Sequence, residues 1–200
     1  MSPQLPGAET ISKAAQVAVF DSEGKEVPFG SLIDGDKKTI VVFIRHFFCG
    51  SCKQYTEQLA TVREDALKDA GATILLVGCG DWQPIKHYNE STGFRGPIYA
   101  NPGRELYQIF EFMSGLKMTP SGQEKRSYLG RGVLSNVIHS IWDGPLKNPA
   151  IATKGGPSAQ NGGDFVFGPD QSCIFAHRME HTEDHVEVED LMKAAGVAYP

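Results

Sequence analysis

A continuous apolar run, residues 39–44, leads almost directly into the motif Cys49-Gly50-Ser51-Cys52. An unbroken series of β-branched and aromatic residues is typical of a strand that is covered on both faces of a sheet. After the motif, Tyr55, Leu59, Val62 and Ala66 recur at helical spacing, which predicts one amphipathic helix that ends at Gly71. A buried strand that passes through a cysteine pair into a helix indicates an α/β protein.

The spacing of the two cysteines points to redox chemistry at the start of this helix. The free N–H groups and the positive dipole end of a helix lower the pKa of a thiol at that position, and the thiolate is the nucleophile. Cys52 follows Cys49 by one helical turn, close enough to form a disulfide. We therefore predict that Cys49 attacks and Cys52 resolves. The alternative is zinc, but a structural zinc site usually needs a second pair, and Cys79 and Cys173 are single. We interpret both as small buried apolar residues.

The composition of the chain argues against some classes of binding partner. A chain of 200 residues is long enough for a sizeable core, and one domain is the default expectation. The net charge of −5 argues against nucleic acid and against an anionic membrane as partners. The first ten residues lack the pattern of a secretory signal, and four cysteines then suggest a reducing compartment, so we expect a cytoplasmic protein. No cofactor is implied.

The remaining elements are predicted from periodicity and turn residues. Residues 1–14, rich in Pro, Gly and Ser, are expected to form a flexible arm, and residues 15–200 one domain. The predicted strands are residues 17–20, 25–28, 39–44, 73–77, 97–100, 164–167 and 173–177, the last two forming a hairpin. Further helices are predicted over residues 84–90, along the stripe Leu106, Ile109, Phe110 and Met113, and from about Val186, with Val188, Leu191, Met192 and Ala195 on one face.

A long insertion, residues 114–163, precedes the final hairpin. We predict a central helix over its apolar stretch, residues 133–142, in which Trp142 is a packing residue, and a mobile second part, residues 145–163. Long loops inside compact domains are often functional. The alternative is a tolerated surface insertion.

Three segments resemble a known family. The stretch Val41-Val42-Phe43-Ile44-Arg45-His46-Phe47-Phe48-Cys49-Gly50-Ser51-Cys52-Lys53 is similar to the signature of peroxiredoxin-like 2 proteins, in the AhpC/TSA group of thioredoxin-fold enzymes. Tyr99-Ala100-Asn101-Pro102-Gly103-Arg104-Glu105-Leu106-Tyr107 resembles the strand, turn and helix of that group. Gly162-Gly163-Asp164-Phe165-Val166-Phe167-Gly168-Pro169, with His177-Arg178 and Asp184-His185, resembles its final hairpin.

The resemblance implies a thioredoxin-like, peroxiredoxin-type α/β fold with a central mixed sheet flanked by helices and an extra N-terminal β-hairpin. It also implies thiol-dependent reduction of peroxides, endoperoxides or protein disulfides, with Cys49 as the peroxidatic thiol and Cys52 as the resolving thiol. Thioredoxin or glutathione would donate electrons, and a homodimer is possible. Ordinary peroxiredoxins carry a Pro and a peroxide-positioning Thr upstream of the attacking Cys, where this chain has Val42 and His46.

Other residues are candidates for the site. Arg45 and His46 end the central strand, where a positive charge would lower the pKa of Cys49 or a hydrogen bond would stabilise a leaving oxygen. Trp82 follows another central strand, at the sheet edge where ligands bind in open α/β folds. Together with Asp164 and Arg178 of the hairpin, it is a predicted substrate-binding residue.

His177, His181 and His185 follow one another at intervals of four, which would suit a metal on one helix face. The segment leaves a strand, however, so we prefer a polar loop and predict no metal. A Cys2His2 zinc site with Cys49 and Cys52 would need a sequence gap unlike compact zinc modules.

Three hypotheses follow for function. The first is a thiol oxidoreductase that reduces peroxides or disulfides through Cys49 and Cys52. The second is a specialised reductase of an organic endoperoxide or small metabolite, with the insertion shaping its pocket. The third is a redox sensor or interaction module, in which oxidation of the pair alters the surface around residues 114–163.

Overall fold

A computed structural model describes residues 4–33, 35–130 and 149–200, and their strands form one seven-stranded sheet in the order β2-β1-β5-β4-β3-β6-β7. The strands are β1 (Ala18–Phe20), β2 (Glu26–Pro28), β3 (Lys38–Ile44), β4 (Ala72–Gly78), β5 (Ile98–Ala100), β6 (Gly163–Phe167) and β7 (Cys173–Arg178). The helices are α1 (Ala8–Ala15), α2 (Gly50–Leu59), α3 (Glu64–Asp69), α4 (Pro84–Thr92), α5 (Glu105–Ile109) and α6 (Val188–Ala195). Single turns of 3₁₀ helix cover Phe29–Leu32 and Pro149–Ile151.

The sheet is mixed, as predicted. Strands β3, β4 and β5 run parallel, with Ile40 opposite Ile74 in the register of the central pair. The β6–β7 hairpin adds an antiparallel edge beside β3, and the β1–β2 hairpin adds the other edge beside β5. The thioredoxin-like α/β fold expected from the sequence is therefore confirmed.

Two different layers cover the sheet. Ile40, Val42 and Ile44 of β3 point toward α2, α4 and α6, and we call this side the α2 face. Val41 and Phe43 point to the opposite side, which we call the aromatic face. Its large buried rings are Phe29, Phe43, Tyr107, Phe110, Phe112, Phe165 and Phe167. Six of the seven residues of β3 are buried, Lys38 being the exception. This burial explains the unbroken apolar sequence of the strand.

The N-terminal segment corrects one prediction. Within the expected flexible arm of residues 1–14, the chain forms α1, and Ile11 and Ala14 are buried on the aromatic face. These two residues lie three positions apart, so they share one face of the helix. The flanking Pro and Gly residues conceal this short apolar stripe in the sequence.

The segment after the cysteine motif corrects a second one. In place of one helix ending at Gly71, α2 stops at Leu59 and α3 begins at Glu64. Arg63 between them has an extended backbone and binds Asp65 through its side chain. Val62 and Ala66 are nevertheless buried, so the apolar pattern identifies the face that packs on the sheet although the helix is interrupted.

The helix after β5 is shorter than the sequence predicts. Helix α5 ends at Ile109, and Met113, which the helical stripe included, is 51 % exposed. The central helix predicted for the insertion, with Trp142, lies outside the described residues. The closing helix is confirmed, with Val188, Leu191, Met192 and Ala195 all buried.

Within the part of the chain that the structure describes, no helix is both long enough and apolar enough to span a membrane.

Candidate active site

Cys49 occupies the N-cap position of α2, directly beyond the carboxyl end of β3. Its backbone is extended, and its N–H donates to the carbonyl of His46 over 3.1 Å. Its sulfur accepts the backbone N–H of Cys52 over 3.4 Å. The amino end of the helix therefore directs a backbone N–H group that has no partner within the helix, and its positive dipole end, at this sulfur, as the sequence predicts.

Three side chains add to this environment. The Arg45 guanidinium donates to Cys49 Sγ over 3.3 Å, and Ser51 Oγ lies 3.1 Å from the same sulfur. Burial by itself raises the pKa of Cys49, but hydrogen bonding from the Cys52 thiol, the positive charge of Arg45, the nearby His46 ring and the Ser51 hydroxyl together hold that pKa well below its usual value. Cys49 is the group with nucleophilic character in this site.

Cys52 has the opposite character. It is completely buried, and its sulfur accepts the backbone N–H of Arg45 over 3.4 Å. Burial and the neighbouring Cys49 raise the pKa of Cys52 well above its usual value. The opposite directions of the two pKa shifts make Cys49 the thiol that ionises more readily and Cys52 the one that keeps its proton. These are the properties expected of an attacking thiol and a resolving thiol.

Arg45 joins the cysteine pair to the end of the insertion. Its Nε donates to the carbonyl of Gln160 over 3.2 Å, and its second terminal nitrogen donates to the carbonyl of Ser158. The side chain is only 5 % exposed. A buried guanidinium with three fixed acceptors keeps its orientation, so Arg45 acts on Cys49 from a defined position.

The end of the insertion covers this site. The backbone N–H of Phe47 donates to the carbonyl of Gly155 over 3.0 Å, and that of Asp81 donates to the carbonyl of Lys154 over 2.8 Å. Residues 145–163 were predicted to be mobile. Residues 145–148 lie outside the described residues, but from Lys154 onward the segment makes defined hydrogen bonds to the loops after β3 and β4. Cys49, between these loops and α2, is only 4 % exposed.

His46 completes the group that the sequence predicts. Burial and the charge of Arg45 lower the pKa of His46, although the Cys49 thiolate opposes this shift. A neutral imidazole offers one N–H as a hydrogen-bond donor beside the sulfur. Arg45, His46, Cys49 and Cys52 are thus brought together at the carboxyl end of β3.

Trp82 lies elsewhere on the α2 face. It follows β4, and its ring is half-buried against the β1–β2 turn, where a Cβ on Gly24 would come within 2.7 Å of Trp82 Cε2. Its role in substrate binding stays a prediction.

Asp164 is placed in the core. It has no exposed surface, and its two oxygens accept His185 Nδ1 over 2.9 Å and the N–H of Val186 over 3.0 Å. His185 is also fully buried and stacks on Tyr55 of α2 with ring centroids 4.4 Å apart. Asp164 therefore fixes the chain that leads into α6, and its role in substrate binding stays a prediction.

Arg178 lies on the aromatic face, across the sheet from Cys49. Its guanidinium is 5.5 Å from the centre of the Phe165 ring and donates to the carbonyls of Phe110 and Gln4. It joins β7 to the chain after α5 and to the N-terminal segment. Its role in substrate binding stays a prediction.

The three histidines separate into two groups. His177 Nε2 lies 3.3 Å and His181 Nε2 4.0 Å from the Asp184 carboxylate, whereas His185 turns inward to Asp164. In the described residues, no group of three His, Cys, Asp or Glu side chains is arranged to hold a metal ion.

Several residues of the site escape sequence reasoning. Ser51 contacts Cys49, while Ser158 and Gln160 hold Arg45 through backbone carbonyls that carry no sequence signal. Cys79 is buried, as predicted, but its thiol also donates to the carbonyl of Arg45 over 2.7 Å. Burial raises the pKa of Cys79 to about 12, so it is a poor nucleophile. Gly155-Gly156-Pro157 is the one sequence pattern that hints at a close approach near the site.

Comparison with known proteins identifies the family. A model of the AhpC/TSA antioxidant enzyme family matches residues 58–181, a region that begins after Cys52. Human peroxiredoxin-like 2C is 31% identical over 193 residues, which cover 96% of this chain and 83% of that protein. A more distant relative, the prostamide/prostaglandin F synthase of Salmo salar, is 22% identical over 167 residues, covering 82% of this chain and 76% of its own.

Among solved structures, the peroxidoxin BcpB of Mycobacterium tuberculosis superposes with a TM-score of 0.62 at 11% identity, covering 98% of this chain and 97% of that one. This likeness shows the fold. The sequence similarity to the peroxiredoxin-like proteins extends over nearly the whole chain. The chain is therefore a peroxiredoxin-like member of the AhpC/TSA antioxidant enzyme family, whose members are thiol oxidoreductases in general.

Proposed function

We propose that the protein reduces peroxides or disulfides through Cys49 and Cys52. The observation that carries the proposal is the asymmetry of the pair, in which Arg45 and the amino end of α2 stabilise a thiolate on Cys49 beside a protonated Cys52. An activated thiolate with a second thiol one turn away provides both chemical steps of a reductase.

With a peroxide, the Cys49 thiolate attacks the terminal oxygen and the O–O bond breaks. Cys49 becomes a sulfenic acid, and the alkoxide or hydroxide that leaves takes a proton from water. The positive charge of Arg45, 3.3 Å from the sulfur, stabilises negative charge that moves onto the oxygens. His46, as a neutral imidazole, supplies a hydrogen bond to the leaving oxygen.

Resolution follows within the pair. The Cys52 sulfur attacks the sulfur of the Cys49 sulfenic acid, the S–O bond breaks, and the thiol proton of Cys52 joins the leaving hydroxide as water. Because burial raises the pKa of Cys52, its proton leaves together with the hydroxide rather than beforehand. The product is a Cys49–Cys52 disulfide.

A disulfide substrate leads to the same product. The Cys49 thiolate displaces one sulfur of the substrate and forms a mixed disulfide, and Cys52 then releases the second sulfur as a thiol. In either case an external dithiol or two monothiols must return two electrons. Thioredoxin or glutathione fits that requirement, and we place the reaction in the cytoplasm, where such thiols stay reduced.

The test is NADPH consumption, coupled either through thioredoxin reductase and thioredoxin or through glutathione reductase and glutathione. Hydrogen peroxide, cumene hydroperoxide and a protein disulfide are separate substrates. Wild type is compared with Cys49→Ser, Cys52→Ser and, as a matched control, Cys173→Ser on β7. We expect turnover that vanishes in Cys49→Ser and persists in Cys173→Ser.

If reduced wild type shows no turnover with thioredoxin or with glutathione, the proposal is wrong. Stoichiometric oxidation of the pair without turnover would then favour the redox-sensor hypothesis. Equal activity of wild type and Cys49→Ser would also contradict the assigned role of Cys49.

A specialised endoperoxide reductase is the second candidate. His46 stands where ordinary peroxiredoxins carry their peroxide-positioning Thr, and one relative is named a prostaglandin F synthase. A small bicyclic endoperoxide assayed beside hydrogen peroxide, with the same reductant, decides between the two. A higher kcat/KM for the endoperoxide supports the second candidate, and the opposite order supports simple peroxide reduction.

A further inference from the structure

Residues 154–160 of the insertion, which we call the lid segment, lie directly over the site. The backbone of this segment accepts hydrogen bonds from both loops at the carboxyl end of the central strands, from Phe47 N–H to Gly155 and from Asp81 N–H to Lys154. Farther along, its carbonyls at Ser158 and Gln160 accept from Arg45. The segment is therefore fastened to the site at one end by backbone and at the other by the side chain that contacts Cys49.

Close contacts leave little room beneath this segment. A Cβ on Gly80 would lie 2.5 Å from the carbonyl carbon of Gly155, and a Cβ on Gly155 would lie 2.3 Å from the Phe48 ring. Gly156 has φ +96° and would bring a Cβ to 2.8 Å from the Cys79 sulfur. Side chains at these three positions would push the lid segment away from the loops that follow β3 and β4.

The cover also limits what reaches the sulfurs. Cys49 is 4 % exposed and Cys52 is fully buried. A peroxide presents two oxygen atoms and needs only a narrow path. A protein reductant must bring its thiolate into line with the S–S bond, and a folded partner does not fit under a hydrogen-bonded loop.

The two ends of the segment differ in their anchors. Gln160 is buried and its side-chain amide is held by the carbonyl of Asn161 over 3.0 Å and by Arg104 over 3.4 Å. The end at Lys154 and Gly155 is held by two backbone hydrogen bonds. Because fewer hydrogen bonds hold the end near Gly155, that end separates from the site more readily.

We infer that residues 154–160 form a lid that positions Arg45 on Cys49 when closed and opens to admit a protein thiol reductant. This inference rests on the proposed function. When the lid is closed, the carbonyls of Ser158 and Gln160 orient the guanidinium, so the thiolate is most reactive while only small molecules can reach it. When the lid is open, Arg45 loses the Ser158 acceptor, and the Cys49–Cys52 disulfide becomes accessible.

The experiment labels Cys49 in the reduced protein with two reagents of different size, iodoacetamide and a polyethylene-glycol maleimide, with the adduct located by peptide mass spectrometry. The variants are Gly80→Ala and Gly155→Ala, each of which places a methyl group between the lid and the site. Gly130→Ala is the matched control, because a Cβ at Gly130 has no atom within 4 Å. The ultraviolet absorbance of the thiolate gives the pKa of Cys49 in every variant.

We expect both lid variants to react with the large reagent roughly tenfold faster than wild type, while the pKa of Cys49 rises. Gly130→Ala should match wild type in both measurements. A merely structural substitution would leave the ratio of the two labelling rates and the pKa unchanged, and that result in both lid variants would overturn the inference.

Hydrogen exchange of wild type covers the case in which these variants fail to fold. The amides of Phe47 and Asp81 donate to the lid, so they should exchange faster than the amides of β3, and faster still after oxidation of the pair. Exchange as slow as that of β3 in both redox states would mean that no lid opens. Neither measurement needs a peroxide, so an inactive protein with intact labelling contrast would reject the proposed function and leave the lid standing.

Discussion

The two faces of the sheet bury different kinds of side chain. The aromatic face buries seven large rings. The Phe43 ring contacts five of the others, those of Phe29, Tyr107, Phe110, Phe112 and Phe165. The α2 face buries polar groups among its apolar residues. Thr56 bonds Tyr88 over 2.9 Å, Asp164 bonds His185 over 2.9 Å, and the cysteine pair lies at its end.

Because of this difference, the aromatic face mainly determines the stability of the protein, and the end of the α2 face determines its reactivity. Rings in mutual contact bury large apolar areas and leave few polar atoms to satisfy, so the aromatic face contributes mainly to the free energy of unfolding. Buried polar groups contribute less and demand fixed partners, but they set pKa values. Substitutions on the aromatic face should therefore change stability, and substitutions at the end of the α2 face should change reactivity.

The largest expected effect is on the α2 face. Cys49→Ser removes the nucleophile, and peroxide or disulfide turnover should fall to background while the free energy of unfolding changes little, because the two side chains are similar in size. Steady-state kinetics and urea denaturation measure the two quantities. The comparison fails if Cys49→Ser unfolds the protein as readily as a substitution of a core ring.

The next effect is on the aromatic face. Phe43→Ala leaves a cavity among five neighbouring rings and should lower the free energy of unfolding by about 3–5 kcal/mol. The pKa of Cys49 should stay as in wild type, since Phe43 points away from the site. Chemical denaturation and thiolate absorbance test both statements. A shifted Cys49 pKa in the folded variant would show that the two faces are coupled.

A smaller effect is expected for Arg45→Met, which removes the cation 3.3 Å from Cys49 Sγ. The pKa of Cys49 should rise, and the rate of alkylation at neutral pH should fall by about 10- to 100-fold, the worth of one charge-assisted hydrogen bond. Arg178→Met is the matched control on the aromatic face, with an unchanged pKa of Cys49. Equal alkylation rates in Arg45→Met and wild type would remove Arg45 from the site.

The smallest effect concerns the His177–Asp184 pair, 3.3 Å apart at the rim of the α2 face. Although burial opposes it, the hydrogen bond and charge of Asp184 raise the pKa of His177 above its usual value of 6.5. A raised histidine pKa gives stability that is fully present below pH 6.5 and is lost as the pH rises through the folded-state pKa.

The complementary shift lies at acid pH. Although burial opposes it, hydrogen bonds from His177 and Arg126 hold the pKa of Asp184 well below its usual value. The stability that Asp184 contributes is therefore lost only in strong acid. Wild type should therefore exceed His177→Gln in stability by about 1 kcal/mol near pH 6, and the difference should shrink toward pH 8.5. Urea denaturation across this range gives the answer. A difference that grows with pH would reverse the assigned sign.

The sequence predicts those parts of the molecule that depend on local pattern. The apolar run of β3, the N-cap position of Cys49 and the buried stripe of α6 all follow from spacing along a few residues. The break between α2 and α3 does not, because Val62 and Ala66 keep helical spacing across a turn that the backbone of Arg63 creates.

The environment of the site depends on contacts distant in sequence. Arg45 is held by carbonyls more than a hundred residues away, and a carbonyl has the same chemistry in every residue type. Asp164 lies in a hairpin that resembles the family, but its partner His185 in the core can be identified only once β6 and the chain before α6 are placed together.

Ser51 carries a single hydroxyl proton between two acceptors, the carbonyl of Thr182 at 2.9 Å and Cys49 Sγ at 3.1 Å. It can serve only one of them at a time. When Cys49 is anionic the sulfur is the stronger acceptor, and the Thr182 carbonyl then goes without this donor. When the charge on sulfur disappears in a disulfide, the proton returns to Thr182. An isotope-edited infrared band or carbon-13 resonance of that carbonyl would thus report the charge on Cys49 without any probe attached to the sulfur.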